Sequence, residues 1–243
     1  MYLSTIELEV LAPGQVVCAE VEALASSLHR NGQLVGPFVV GRSDGGYRIT
    51  GTAPQIDSLE PECNSPYVAK VLHRLQDDFG VEIEVEVKVH EEPPLHASSL
   101  DVASELYLLT YPHWAGSPIL ADTGLFIPLY LLPLDADQRE HLVLWASQRQ
   151  YLQRIEFHSG ALEREAAQAI TTHSGSHANE GRALCRMIEE ATGIATHYGM
   201  YCPTDLVAEL DACPQCKQEL EVRVAPNGDR LRICGPCRLA ASD

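Results

Sequence analysis

The sequence predicts an α+β chain in three parts, and three observations carry that expectation. The first ninety residues read strand, helix, two strands, helix, strand. A following stretch mixes short apolar runs with amphipathic helices. Near the C-terminal end, two Cys-x-x-Cys pairs flank two alternating runs.

In the first part, Ile6, Leu8 and Val10 alternate with Glu7 and Glu9 as a strand, and Val17, Val21, Leu24 and Leu28 recur at helical spacing until Asn31-Gly32. Residues 37–40 and 47–50 flank Ser43-Asp-Gly-Gly46 as a hairpin. Val68, Val71, Leu72, Leu75 and Phe79 form a second helix ended by Gly80, and Val81, Ile83, Val85, Val87 and Val89 alternate with Glu82, Glu84, Glu86 and Lys88. This β-α-β-β-α-β order is the ferredoxin-like pattern, expected over residues 1–92 with both helices on the apolar face of one antiparallel sheet. Paired prolines in HEEPPLHASS, residues 90–99, mark the boundary.

Residues 96–210 form a mixed α/β region. Residues 105–109 and 125–132 read as buried strands, with Pro128 placing the second at an edge or bend. Asp135 or Asp137 caps a helix running through Leu142, Trp145 and Ala146 towards Leu152. SGALEREAAQAI is ambiguous. Ala183, Leu184, Met187, Ile188 and Ala191 share the face of a last helix that stops at Gly193.

The cysteines of residues 211–243 follow C-x2-C-x17-C-x2-C, from Cys213 and Cys216 to Cys234 and Cys237. A redox Cys-x-x-Cys needs a helix behind its first thiol, and only six residues follow Cys237. Two pairs at this spacing instead suit one tetrahedral Zn2+, each pair forming a knuckle, with iron in a rubredoxin-like site as the competitor. Between them Leu220, Val222 and Val224 face Leu231 and Ile233 across Pro226-Asn227-Gly228-Asp229, a hairpin signal. The result is a zinc-ribbon β-hairpin. So few apolar residues need the metal for folding energy, and four thiolates leave no open coordination position, so the ion is structural.

Composition bounds the function. The chain has no apolar run approaching the ~18 residues of a membrane span and begins without a basic, apolar leader, so a soluble, cytoplasmic protein is expected. Cys18, Cys63, Cys185 and Cys202 show no paired spacing and read as free thiols. Net charge is −17, with 6 basic against 15 acidic residues in 1–95, 6 against 14 in 96–210 and 5 against 5 in 211–243. Such a body repels a phosphate backbone, and only the C-terminal ribbon escapes that objection. His173 and His177 stand four apart, but HSGSH reads as a polar loop; His96, His113, His141 and His197 show no acid partner. With no nucleophile elbow, phosphate loop or dinucleotide fingerprint, a binding role is expected over an enzymatic one.

GRALCRMIEEATGIATHYGMY at residues 181–201, the Cys213 to Cys237 framework, CGPCRLAASD, the opening MYLSTIELEV and PLYLLP at 128–133 together resemble a family of uncharacterised bacterial proteins described as zinc-ribbon-containing, with nucleic-acid binding inferred from the ribbon. The resemblance implies zinc ligands at Cys213, Cys216, Cys234 and Cys237. Relatives carry another Cys pair ahead of the PLY stretch, where this chain has PILADTGLF.

Two readings follow. In the first, Lys217, Arg223, Arg230, Arg232 and Arg238 contact phosphates of RNA or DNA; a two-residue Asn227-Gly228 loop would set Arg223 directly opposite Arg232, a pairing that calls for an anion between them. No aromatic residue lies between Cys213 and Cys237 to stack on bases. In the second, the ribbon is a structural end-piece of a protein-interaction adaptor, and Glu7, Glu9, Glu82, Glu84 and Glu86 on the outer sheet face dock a basic partner.

Overall fold

Alternation in the first strand sets up the first sheet. In the computed structural model, which describes residues 4–11, 18–43, 46–89, 97–110, 117–158, 160–202, 210–224 and 230–242, β1 (Ser4–Leu11) lies between β3 (Gly46–Ala53) and β4 (Glu82–Val89), with β2 (Val35–Ser43) outside β3. The order is β2-β3-β1-β4, antiparallel throughout. The register puts Leu8 opposite Ile49 and Val85, whereas Glu7 faces Glu86 and Glu9 faces both Glu84 and Arg48.

Two helices supply the other half of this core. α1 (Cys18–Asn31) contributes Val21, Leu24, Ala25 and Leu28, and α2 (Pro66–Phe79) contributes Val68 and Leu75, all buried with Ile49 and Leu34. The Ser65 hydroxyl accepts the Val68 N–H to cap α2, Pro66 opens it where no N–H is needed, and Gly80 closes it at φ 62. Gly32, at φ 80, ends α1, and a Cβ there would stand 2.8 Å from that of Leu129.

The protein is a mixed α+β chain whose contacts divide into two units. The first takes in residues 1–99, 115–117 and 127–140; the second takes in 100–114, 118–126 and 141–243.

The second unit holds a six-stranded sheet of order β6-β5-β7-β10-β9-β8. Its strands are β5 (Glu105–Leu108), β6 (Ile119–Ala121), β7 (Ala195–Met200), β8 (Glu221–Val224), β9 (Arg230–Cys234) and β10 (Leu239–Ser242). β7 runs parallel to both β5 and β10, and the remaining pairs are antiparallel. Between β6 and β7 come α3 (Ala136–His158), α4 (Glu163–Thr171) and α5 (Ser176–Thr192), the last stopped by Gly193 in left-handed backbone. Trp145 of α3 stacks on His177 of α5 at 5.0 Å and 6°, and donates its indole N–H to the His177 carbonyl.

Three expectations change. Residues 125–132 do not form a strand: Phe126 makes a single bridge to Leu120, and a 3-10 turn covers Leu129–Leu131. Pro128, without an N–H for a ladder, stands at the head of that turn. HSGSH is not wholly a loop, since Ser176 and His177 open α5 and His177 is buried. The ribbon register also shifts by one: Val224 pairs with Arg230, Arg223 with Leu231 and Val222 with Arg232. The sequence-based turns at 44–45 and 226–229, the linker at 90–96, and His96 and His113 lie outside the described residues.

Among the described residues, no helix is long and apolar enough to cross a membrane.

Candidate metal centre

Each cysteine pair closes a tight loop. Around Cys213 the Lys217 N–H donates to the Cys213 carbonyl at 2.9 Å and the Cys213 N–H to the Gln218 carbonyl at 2.7 Å, with Ala212 bridged to Glu219. Around Cys234, which ends β9, the Arg238 N–H donates to the Gly235 carbonyl at 3.2 Å before β10 begins. The residue after the second cysteine is left-handed in both loops, Lys217 at φ 63 and Arg238 at φ 52. Two similar knuckles therefore face one another.

The four thiol sulfurs of Cys213, Cys216, Cys234 and Cys237 lie within 4.8 Å of one another, and Cys216 Sγ to Cys234 Sγ is 3.5 Å. A disulfide needs about 2 Å between sulfurs. A tetrahedral site with metal–sulfur bonds near ~2.3 Å needs edges of about 3.8 Å. The cluster fits the second geometry, and all four cysteines are free of disulfides. Cys213 and Cys234 are buried, while Cys216 and Cys237 lie nearer solvent.

The thiols of this cluster perturb one another. The Gln218 backbone N–H holds the Cys216 thiol down to about 7, whereas burial and neighbouring thiols push Cys237 up to about 12. Burial likewise raises Cys234. Four thiolates together are unfavourable without a positive ion, and a bound metal reverses that balance.

The ribbon cations are mostly committed within the fold. Arg223 donates from Nε and Nη2 to Glu221 and from Nη1 to Glu105 of β5. Arg238 donates to both carboxylate oxygens of Glu189 on α5, at 2.8 and 3.2 Å. Arg232 lies 3.9 Å from Asp211. The shifted register puts Arg223 on the face of the buried Leu231 and Ile233, away from Arg230 and Arg232. Arg223 and Arg232 are therefore not an opposed pair. Lys217 and Arg230 are exposed.

On the first sheet, Glu82 and Glu84 are exposed, and the register brings Glu7 opposite Glu86 and Glu9 opposite Glu84. Two histidines gain acid partners that spacing did not reveal: His141 Nε2 is 2.6 Å from Glu180, and buried His197 Nε2 is 3.7 Å from Glu105. Glu105 and Glu189, the carboxylates holding Arg223 and Arg238, were also missed; they lie 118 and 49 positions away in sequence, beyond any local signal.

These features define a mixed α+β protein with a four-cysteine cluster compatible with a metal ion. Residues 1–88 match a family described as Domain of unknown function (DUF8589), and residues 101–201 match Domain of unknown function (DUF2310). The cluster lies beyond both matches. An uncharacterized protein of Haemophilus influenzae is 25% identical over 233 residues, covering 91% of this chain and 89% of that protein. A second uncharacterized protein of the same organism is 27% identical over 120 residues, covering 48% of this chain and 59% of its own length.

Proposed function

We propose that this is a zinc-binding protein whose single Zn2+ is structural. Cys213, Cys216, Cys234 and Cys237 hold the ion in a C-terminal zinc ribbon, and the first unit is a ferredoxin-like domain. The observation carrying the metal reading is the mutual approach of four sulfurs within 4.8 Å on two knuckles. The strand order β2-β3-β1-β4 with two helices supports the second part. Metal analysis of the purified protein tests the site: one zinc per chain is expected, falling to none in Cys213→Ser/Cys234→Ser. Iron in its place, or unchanged zinc in the double variant, would refute the assignment.

Within that frame the favoured role is a protein-interaction adaptor that docks a basic partner on Glu7, Glu9, Glu82, Glu84 and Glu86. The Glu7–Glu86 rung sets like charges opposite each other, which a cationic surface would relieve, while Glu9, opposite Glu84, also has Arg48 on its other side. Phosphate recognition is less favoured because Arg223 and Arg238 already hold carboxylates and Arg232 lies 3.9 Å from Asp211. Fluorescence anisotropy with a labelled Lys/Arg-rich peptide, and separately with labelled RNA and DNA, distinguishes the two. Peptide binding lost in Glu82→Lys/Glu84→Lys is expected. Nucleic-acid binding at physiological salt, lost in Arg230→Ala/Arg232→Ala, would overturn the adaptor reading.

A further inference from the structure

A cavity of about 250 Å3 opens in the first unit, where the last turn of α1 meets the first turns of α2 and α3. Arg30, Asn31, Ser65, Tyr67, Arg139 and Glu140 are among the residues lining it. Most of its charged and hydroxyl groups are already matched. Arg30 pairs with Glu140 at 2.9 Å, and the Tyr67 hydroxyl donates to Asp137 at 2.9 Å.

Arg139 is different. Its Nη1 donates to the Asn31 side-chain oxygen, its Nη2 to the Leu134 carbonyl at 2.7 Å, and its Nε is buried without a partner. Both acceptors are neutral. Among the described residues no carboxylate pairs with this guanidinium. The charge of Asp135 is felt there, but that side chain accepts the Gln138 N–H at 2.8 Å. Burial pulls the Arg139 pKa below its ordinary value, as expected for a cation short of compensation.

A second layer fixes this cation. Asn31, 3% exposed, donates from Nδ2 to Gln33 Oε1 at 2.7 Å and to the Cys63 carbonyl at 2.7 Å. Gln33, fully buried, donates to the Ser58 carbonyl at 2.8 Å and to Asn64 Oδ1 at 2.9 Å. Burying amides costs free energy that an apolar core avoids. What this relay accomplishes is to aim the Asn31 oxygen at Arg139 and hold the guanidinium against the cavity wall. A rigid cation with neutral supports, beside a cavity, is pre-organised for an anion.

We propose that this cavity binds a small molecule bearing an oxyanion, with a phosphate or carboxylate group seated on Arg139. The planar fork of arginine matches either group. At about 250 Å3 the space is just below the ~300 Å3 of ordinary ligand sites, so the ligand is small.

Thermal melts of the full chain in inorganic phosphate or succinate, against chloride at equal ionic strength, provide the test. A saturable rise of about 3–5 °C at ten times the half-saturating concentration is expected with at least one anion. A response to phosphate alone assigns a phosphate head, and a response to succinate alone a carboxylate. Ala136 also lines the cavity and takes no part in the Arg139 hydrogen bonds, so Ala136→Leu should fill the space, keep the melting temperature in chloride and abolish the anion response. Arg139→Lys keeps the charge and loses the fork, so about tenfold more anion should be needed. No saturable response beyond chloride, or an undiminished one in Ala136→Leu, overturns the proposal.

Discussion

Lys217 and Arg238 adopt left-handed backbone, which disfavours any side chain with a Cβ. Each follows a cysteine pair, where the chain must turn sharply for both thiols to face the other pair. Lys217→Gly should remove that strain and stabilise the protein by about 1 kcal/mol, read as a 2–4 °C rise in melting temperature. Arg238→Gly gains the same relief but loses the Glu189 pair, so little net change is expected. His177 gives a prediction in pH. Burial, with the Arg149 charge nearby, lowers its pKa from 6.5 to about 4. The unfolded chain therefore takes up the proton first, and stability should fall as pH drops from about 6.5 to about 4. His177→Phe keeps a ring on Trp145, and should flatten that part of a stability-versus-pH curve measured by urea unfolding.

Between elements, close approach is set by small residues. A Cβ on Gly181 would come 2.4 Å from the Tyr198 ring and 2.8 Å from that of Trp145, so α5 could not lie where it does against β7. Gly181→Ala should cost about 1–3 kcal/mol despite better helix propensity, measurable by denaturant unfolding. Legibility in the sequence varied with element type. The first sheet and its helices could be read because one face of each is apolar, giving clean periods of two and 3.6. β7 could not: Thr196, His197 and Tyr198 are all buried, so the strand shows no alternation. The four cysteine positions were legible from spacing alone. The ribbon register was not, because the Asn227-Gly228 signal implied a two-residue loop whereas the strands pair one position out of that register. Arg139 gave no signal, since its supports come from Asn31 and Leu134 and its cavity from three helix ends.

On the scale of the whole molecule, the cysteine cluster and the sheet are joined through β10. This strand leaves the Cys237 knuckle and inserts between β7 and β9, with Leu239, Ala240 and Ala241 fully buried. The Tyr198 N–H donates to the Arg238 carbonyl at 2.8 Å, fastening the knuckle to β7. With the proposed metal bound at this cluster, chelation should therefore speed hydrogen exchange at residues 239–241 and 198–200 while leaving the first unit's strands protected. Equal loss of protection in both units would contradict this. The same sheet has a consequence in time. Its parallel pairing sets Glu105 beside Ala195, 90 positions apart, whereas β8 and β9 need only close a short loop. Local contacts form early and distant ones late. The cysteine framework can thus assemble before β7 is in place, leaving a growing edge that must wait for its neighbour, and refolding yield should depend on how long that edge stays open.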